Sequence, residues 1–158
     1  MSNSPNKIKL EPEISRVYFR CTVSKETHTI LFDPGSPNTV ITLKLAKTLG
    51  LKARHSDITK IHISGSTVDV VPVVLPDLVM GSLRLTDVRV YAGLGTGWGD
   101  TILLGLNVLN HLVYTVDRSD GSGFITLELN QIAESSVQDI FNRLISVDGK
   151  YYVTDSEV

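Results

Sequence analysis

With a single cysteine, a net charge of only −2 and no long apolar run in 158 residues, the chain leaves several classes of protein out of reach. Cys21 has no partner for an internal disulfide, so a small stapled scaffold is excluded and a reducing compartment suits the chain. It lies in a strand-like alternation and reads as a small core hydrophobe rather than a nucleophile. The longest apolar stretch, VVPVVLP from Val70, is broken by Pro72 and Pro76 and is far too short to span a bilayer. The start, MSNSPNKIKLEPE, lacks the apolar core of a signal peptide. A cytoplasmic protein is the default expectation. The 15 lysines and arginines are scattered, with no basic stripe interleaved with aromatics, which argues against nucleic acid.

Metal and cofactor signatures are equally thin. His28, His55, His62 and His111 have no ligand spacing, and each is assigned to a surface or hairpin position. Gly93, Gly95, Gly97 and Gly99 crowd one loop. Their spacing is not that of a dinucleotide fingerprint and no βαβ unit surrounds them, so no phosphate cradle is expected. The reading is of a protein without metal or cofactor.

What is present is period two. In RVYFRCTV, Val17, Phe19, Cys21 and Val23 share one face of a half-buried strand. SKET turns the chain, and HTILF returns to deliver Asp33 at its end. TVIT continues extended, and LKLAKTLGL reads as a short helix stopping near Gly50, a suitable C-cap. Two arms around Ser64, Gly65 and Ser66 read as a hairpin at 58 to 72, and LVMGSLRLTDVRVYA as another with Gly81 at its turn. TILLGLNVLNHL runs from a buried strand into a helical turn, and a last clear hairpin turns at Ser119 to Gly123. In the tail, Val137, Ile140, Phe141, Leu144 and Ile145 follow helical spacing behind a weak capping box at Ser136 and Asp139. The final YYVT reads as an edge strand. The fold class is therefore mainly β, one domain with one to three short helices.

One acid stands apart. Asp33 closes an apolar strand and is followed by Pro34, Gly35, Ser36 and a second apolar run. Pro-Gly at the centre of this stretch also makes a good type II turn, so the motif alone leaves turn and chemistry both open. Order and spacing carry the argument further. LFDPGSPNTVI, then IHISGSTVDV, then ILLGLNVLNHLVYTVD resemble the retropepsin family, the single-lobed aspartic proteases of retroviruses and their cellular and bacterial relatives. That family runs an apolar strand into D-[TS]-G-[AS], then a flap, then L-L-G-x-x-x-L. The resemblance covers about residues 14 to 129, leaving an arm at 1 to 13 and an extension at 130 to 158.

The resemblance implies a β-barrel lobe and an endopeptidase. Asp33 is then the acid/base carboxylate, with Pro34, Gly35 and Ser36 completing its loop. Ile63, Ser64, Gly65 and Ser66 form the tip of a flap over an extended peptide, and Leu103, Leu104 and Gly105 support the loop from behind. Asp120 and Asp148 lack the flanking strands and read as turns. One such loop per chain implies a homodimer, with Asp33 of each copy meeting on a two-fold axis.

Three positions depart from the family pattern. Pro34 replaces a Thr or Ser whose hydroxyl and N–H reach across the dimer axis, and proline has neither donor. An unpaired buried carbonyl opposite each loop costs about 1 to 3 kcal/mol, so weakened activity is the expectation. Pro37 and Leu106 replace the two members of a retroviral ion pair, a joint loss that strands no charge. The contrasting reading is an inactive peptide-binding or dimerisation module that keeps the groove without the chemistry.

Overall fold

A computed structural model describes residues 5–12, 15–63, 65–95, 97, 99–118, 123–130, 144–147 and 150–153. Among the described residues twelve strands and two short helices follow one another: β1 (Lys7–Lys9), β2 (Val17–Val23), β3 (Glu26–Phe32), β4 (Val40–Thr42), α1 (Leu43–Thr48), β5 (Thr59–Ile63), β6 (Ser66–Met80), β7 (Leu83–Gly93), β8 (Ile102–Leu104), α2 (Leu106–Leu109), β9 (Leu112–Asp117), β10 (Phe124–Leu129), β11 (Leu144–Val147) and β12 (Lys150–Val153). A three-residue 3-10 turn, His55–Asp57, precedes β5.

Alternation becomes a barrel because each strand has one oily face to hide. Phe19, Cys21 and Val23 of β2 are buried while Arg20 is exposed. Leu75, Leu78 and Met80 of β6 join them with Val88, Val90 and Ala92 of β7. The strands run in the order β7, β4, β8, β3, β2, β6, and β6 pairs back onto β7, which closes a six-membered ring. β5 extends this sheet beyond β6, and β12 then β11 extend it beyond β7. A second sheet of three strands, β1-β10-β9, lies beside it. Leu10, Ile125 and Leu127 carry the common core into that smaller sheet.

Local chemistry fixes the turns. Val23 faces Glu26, so β2 and β3 are joined through Ser24 and Lys25, both at positive φ, the conformation that matches the twist of a two-residue hairpin. The Thr42 hydroxyl accepts from the Leu45 amide at 3.0 Å and starts α1, and Gly50 ends it with φ +70, as expected of a left-handed cap. Asn6 joins the two sheets with one amide. Its Nδ2 donates to the carbonyls of Met80 and Leu127, both at 3.0 Å, and its Oδ1 accepts from the Ser82 amide at 2.8 Å.

The structure departs from the sequence reading at several points. β6 runs unbroken through Pro72 and Pro76 for 15 residues, so one strand serves both predicted hairpins. Both prolines are exposed, and Pro76 falls where the β6–β7 pairing skips a position, between Leu75–Val88 and Asp77–Thr86, a place where a missing ladder donor is tolerated. His28 is not at the surface: it sits on β3 with 5% of its area exposed. Leu144 and Ile145 belong to a strand, not to the predicted helix, because the tail folds back as a β11–β12 hairpin. The helical spacing at 136 to 141 lies outside the described residues. β12 is a strand as predicted, yet it is not the edge, since β11 covers its free side.

Candidate active site

The loop after β3 is built by strands that meet from distant parts of the sequence. β8 lies parallel to β3, pairing Ile102, Leu103 and Leu104 with Ile30, Leu31 and Phe32. The ladder continues one step: the Asp33 amide donates to the Leu104 carbonyl at 3.0 Å. The backbone of Asp33 is thereby fixed to the sheet while its side chain leaves it.

The turn itself is tight. Ser36 N donates to the Asp33 carbonyl at 3.1 Å, and Gly35 N donates to Asp33 Oδ1 at 3.0 Å. A Cβ on Gly35 would stand 3.1 Å from that same oxygen, so glycine lets the backbone approach the carboxylate closely. Pro34 and Gly35 are exposed, Asp33 is half-buried, and Ser36 is nearly buried. The Ser36 hydroxyl turns away from the carboxylate and donates to the Asn38 carbonyl at 2.8 Å.

Behind the loop lies the segment entering α2. Leu104 is fully buried, and Leu103 pairs with both Leu31 and Val40. Gly105 packs against the loop's backbone. A Cβ there would meet the Asn38 carbonyl oxygen at 2.0 Å and the Ser36 carbonyl oxygen at 2.7 Å. Leu106 N donates to the Ser36 carbonyl at 2.8 Å and Asn107 N to that of Pro37 at 3.2 Å.

Two residues of this web were not singled out from the sequence. Thr39 is fully buried; its hydroxyl donates to Asn107 Oδ1 at 2.6 Å and accepts from the Gly105 amide at 3.1 Å. Asn107 Nδ2 goes on to the Arg89 carbonyl at 3.0 Å. A polar residue inside the apolar run TVIT was the available signal, but its partner lies 68 residues away.

Asp33 and Pro34 open onto a cleft of about 600 Å³ whose wall includes Leu31, Phe32, Ile63 and Leu103. Ile63 comes from the end of β5, at the hairpin where it pairs with Ser66. Gly65 and Ser66 lie at the exposed tip, and Ser64 lies outside the described residues. Asp33, Pro34 and one hairpin residue, Ile63, thus share a cleft. Gly105 and Leu104 stand behind it.

Arg16 and Tyr18 also line this cleft, whereas Cys21 and His111 do not. Burial pushes the Cys21 thiol up to about 12, so it stays protonated and unreactive. Burial also holds His111 below the ordinary histidine range. Among the described residues no cluster of His, Cys, Asp and Glu has the arrangement of a metal site, and no helix is long and apolar enough to cross a membrane.

The fold is that of the retropepsins. A crystal structure of a retropepsin-like aspartic protease from Rickettsia conorii superposes with a TM-score of 0.58 at 19% identity, covering 80% of this chain and 94% of that one. The retroviral protease-like domain of Ddi1 from Leishmania major gives 0.53 at 12% identity, covering 75% and 96%. A comparison with curated protein sequences gives no match. The sequence profile of the aspartyl protease family, however, matches residues 19–108, a span that runs from β2 through the Asp33 loop and the β5–β6 hairpin into α2. With more than half of its length matched, the chain belongs to the aspartyl protease family.

Proposed function

We propose that the protein is an aspartic endopeptidase that acts as a two-fold homodimer on extended peptides, with Asp33 of each protomer as the acid/base pair. The observation that carries this reading is Asp33 itself: a half-exposed carboxylate on a loop braced by Gly105, receiving the Gly35 amide at 3.0 Å and facing a 600 Å³ cleft. Two carboxylates held close together share one proton, because both cannot ionise at that distance. The ionised member takes a proton from water as the water oxygen attacks the peptide carbonyl carbon. The protonated member gives its proton to the carbonyl oxygen. Collapse of the tetrahedral adduct breaks the C–N bond and sends a proton to the leaving nitrogen. The pH dependence belongs to the pair, not to either residue.

On this reading the tip formed by Ile63, Ser64, Gly65 and Ser66 is a flap that lies over the substrate and bonds its backbone in strand-addition fashion. Leu103, Leu104 and Gly105 are structural. Pro34 removes the donors that would tie the two loops across the axis, which weakens but does not abolish activity. The catalytic unit is 14–129, with an arm at 1–13 and an extension at 130–158. The cytoplasm, where Cys21 stays reduced, is its place of work.

The test is incubation with a mixed peptide library from acid to neutral pH, beside Asp33→Asn and Pro34→Thr, with the mass in solution measured for each. The expected result is a dimer with weak cleavage between large apolar residues, lost in Asp33→Asn and raised in Pro34→Thr. A clean dimer with no cleavage by any of the three overturns the enzymatic reading. Cleavage by a monomer overturns the two-fold site.

A further inference from the structure

Arg16 directly precedes β2 and Asp33 directly follows β3. The antiparallel ladder of β2 and β3 ends with Val17 opposite Phe32, after Tyr18 opposite Leu31, and one more step of the same register sets residue 16 opposite residue 33. Directly opposed residues share a face of the sheet and lie about 5 Å apart at Cα. Tyr18 and Leu31, two positions along, share that face by the period of the strand. All four line the same cleft, where Arg16 and Asp33 are the charged members.

Among the described residues the arginine has no ion-pair partner. The ion pairs among the described residues are Arg20 with Glu11, Lys60 with Asp69 and Arg84 with Asp77, and His28 Nδ1 lies 3.6 Å from Asp100; none of these contacts includes Arg16, and none includes Asp33. The Arg16 residue is exposed. Its backbone is held in place by Arg118, whose Nη2 donates to the Arg16 carbonyl at 2.6 Å. A guanidinium is anchored at its root, free at its head and one strand away from the acid in a cleft walled by Leu31, Phe32, Ile63 and Leu103.

We propose that Arg16 determines specificity, selecting extended peptides that carry Asp or Glu near the scissile bond; the inference rests on the protease reading above. An acidic substrate side chain next to ionised Asp33 is repelled, and a nearby cation is what makes it acceptable. The strand spacing plus the length of an arginine side chain covers about two or three residues of extended chain at roughly 3.3 Å each. The acidic position therefore falls within that distance of the cut. A two-fold dimer presents Arg16 twice, so the preference applies on both sides of the bond.

The experiment uses matched peptides that differ only in Glu for Gln at one flanking position, taken in turn. kcat and KM are measured at low and high salt for the wild type, Arg16→Gln, Arg16→Lys and Arg16→Glu. The wild type is expected to favour the Glu peptide in kcat/KM by about tenfold at one position on each side, mostly through KM. Salt should shrink that ratio. Arg16→Gln should bring the ratio to one or below, Arg16→Lys should restore part of it, and Arg16→Glu should favour a Lys peptide instead. Cleavage of both peptides at equal rates by the wild type, or a Glu preference that survives in Arg16→Gln, overturns the proposal while leaving the protease standing. Absence of all cleavage by the wild type overturns both.

Discussion

Two loops face the same cleft and are made in opposite ways. The Asp33 loop is bonded on every side: to β8 through Leu104, to α2 through Leu106 and Asn107, and to its own carboxylate through Gly35. At the tip of the β5–β6 hairpin no described residue from His62 to Thr67 is buried. That arm holds together through its own ladder, an exposed Lys60–Asp69 pair at 2.6 Å and a long Thr67–His62 contact at 3.4 Å. The contrast separates two demands on one site. On the proposed reading, a carboxylate that exchanges protons must be held to a fraction of an ångström, whereas a cover over a peptide must yield to admit it.

The contrast is broken most severely at Gly105. Gly105→Ala drives a methyl into the Asn38 carbonyl at 2.0 Å. Backbone cannot swing aside as a side chain can, so a loss of about 3 kcal/mol or more is expected, with the denaturation midpoint and peptide cleavage falling together. Thr39→Val comes next. It keeps the shape but leaves the Gly105 amide and Asn107 without their buried partner, at a cost of about 1 to 3 kcal/mol, again read by denaturant unfolding. Gly65→Ala, on the other loop, meets open space but holds an alanine at φ +81, for about 1 to 2 kcal/mol. Its effect should show in KM while the midpoint moves less than for Gly105→Ala. Lys60→Ala breaks a pair whose members are 69% and 48% exposed and should change stability by less than about 1 kcal/mol. A larger loss at Lys60 than at Thr39 would erase the distinction between the two loops.

A pH series sharpens the same comparison from outside the cleft. His111 has its pKa lowered by burial from 6.5, so the folded state binds fewer protons there than the unfolded chain. Its contribution to stability is complete above about pH 6.5 and is lost as the pH falls through the folded value. The unfolding midpoint should therefore decline below pH 6.5, and His111→Gln should flatten part of that slope. Cys21 has its pKa raised to about 12. The folded protein should leave it unmodified by a thiol reagent at mildly alkaline pH, with reaction following unfolding.

Much of this was legible in one dimension. Hairpins announce themselves locally, by alternation on both arms and a Ser-Lys or Gly-Ser pair between them, and Asp33 is marked by its neighbours on either side. The bracing of Asp33 is not local. The parallel contacts of β3 with β8 and of β4 with β7 join segments separated by long stretches of chain, and periodicity carries no information about which strand lies next to which. β1 is three residues of Lys-Ile-Lys, too short to show a period, and is held by pairing with β10. His28 falls on the inward phase of its strand between exposed Thr27 and buried Ile30. The phase of β3 alone marks it as inward, which residue type does not. Arg16 lies one residue before β2, and nothing in its local sequence marks the cleft it shares with Asp33.

The amide of Asn6 has a consequence in time. Its partner at Leu127 lies 121 residues along the chain, and Lys7, Ile8 and Lys9 likewise wait for Thr126, Ile125 and Phe124. Contacts of such long sequence separation form late and slowly. During synthesis β1 stays unmatched until β10 has been made, after all six strands of the barrel. Closure at Asn6 is then a late fastening that joins the smaller sheet to the barrel.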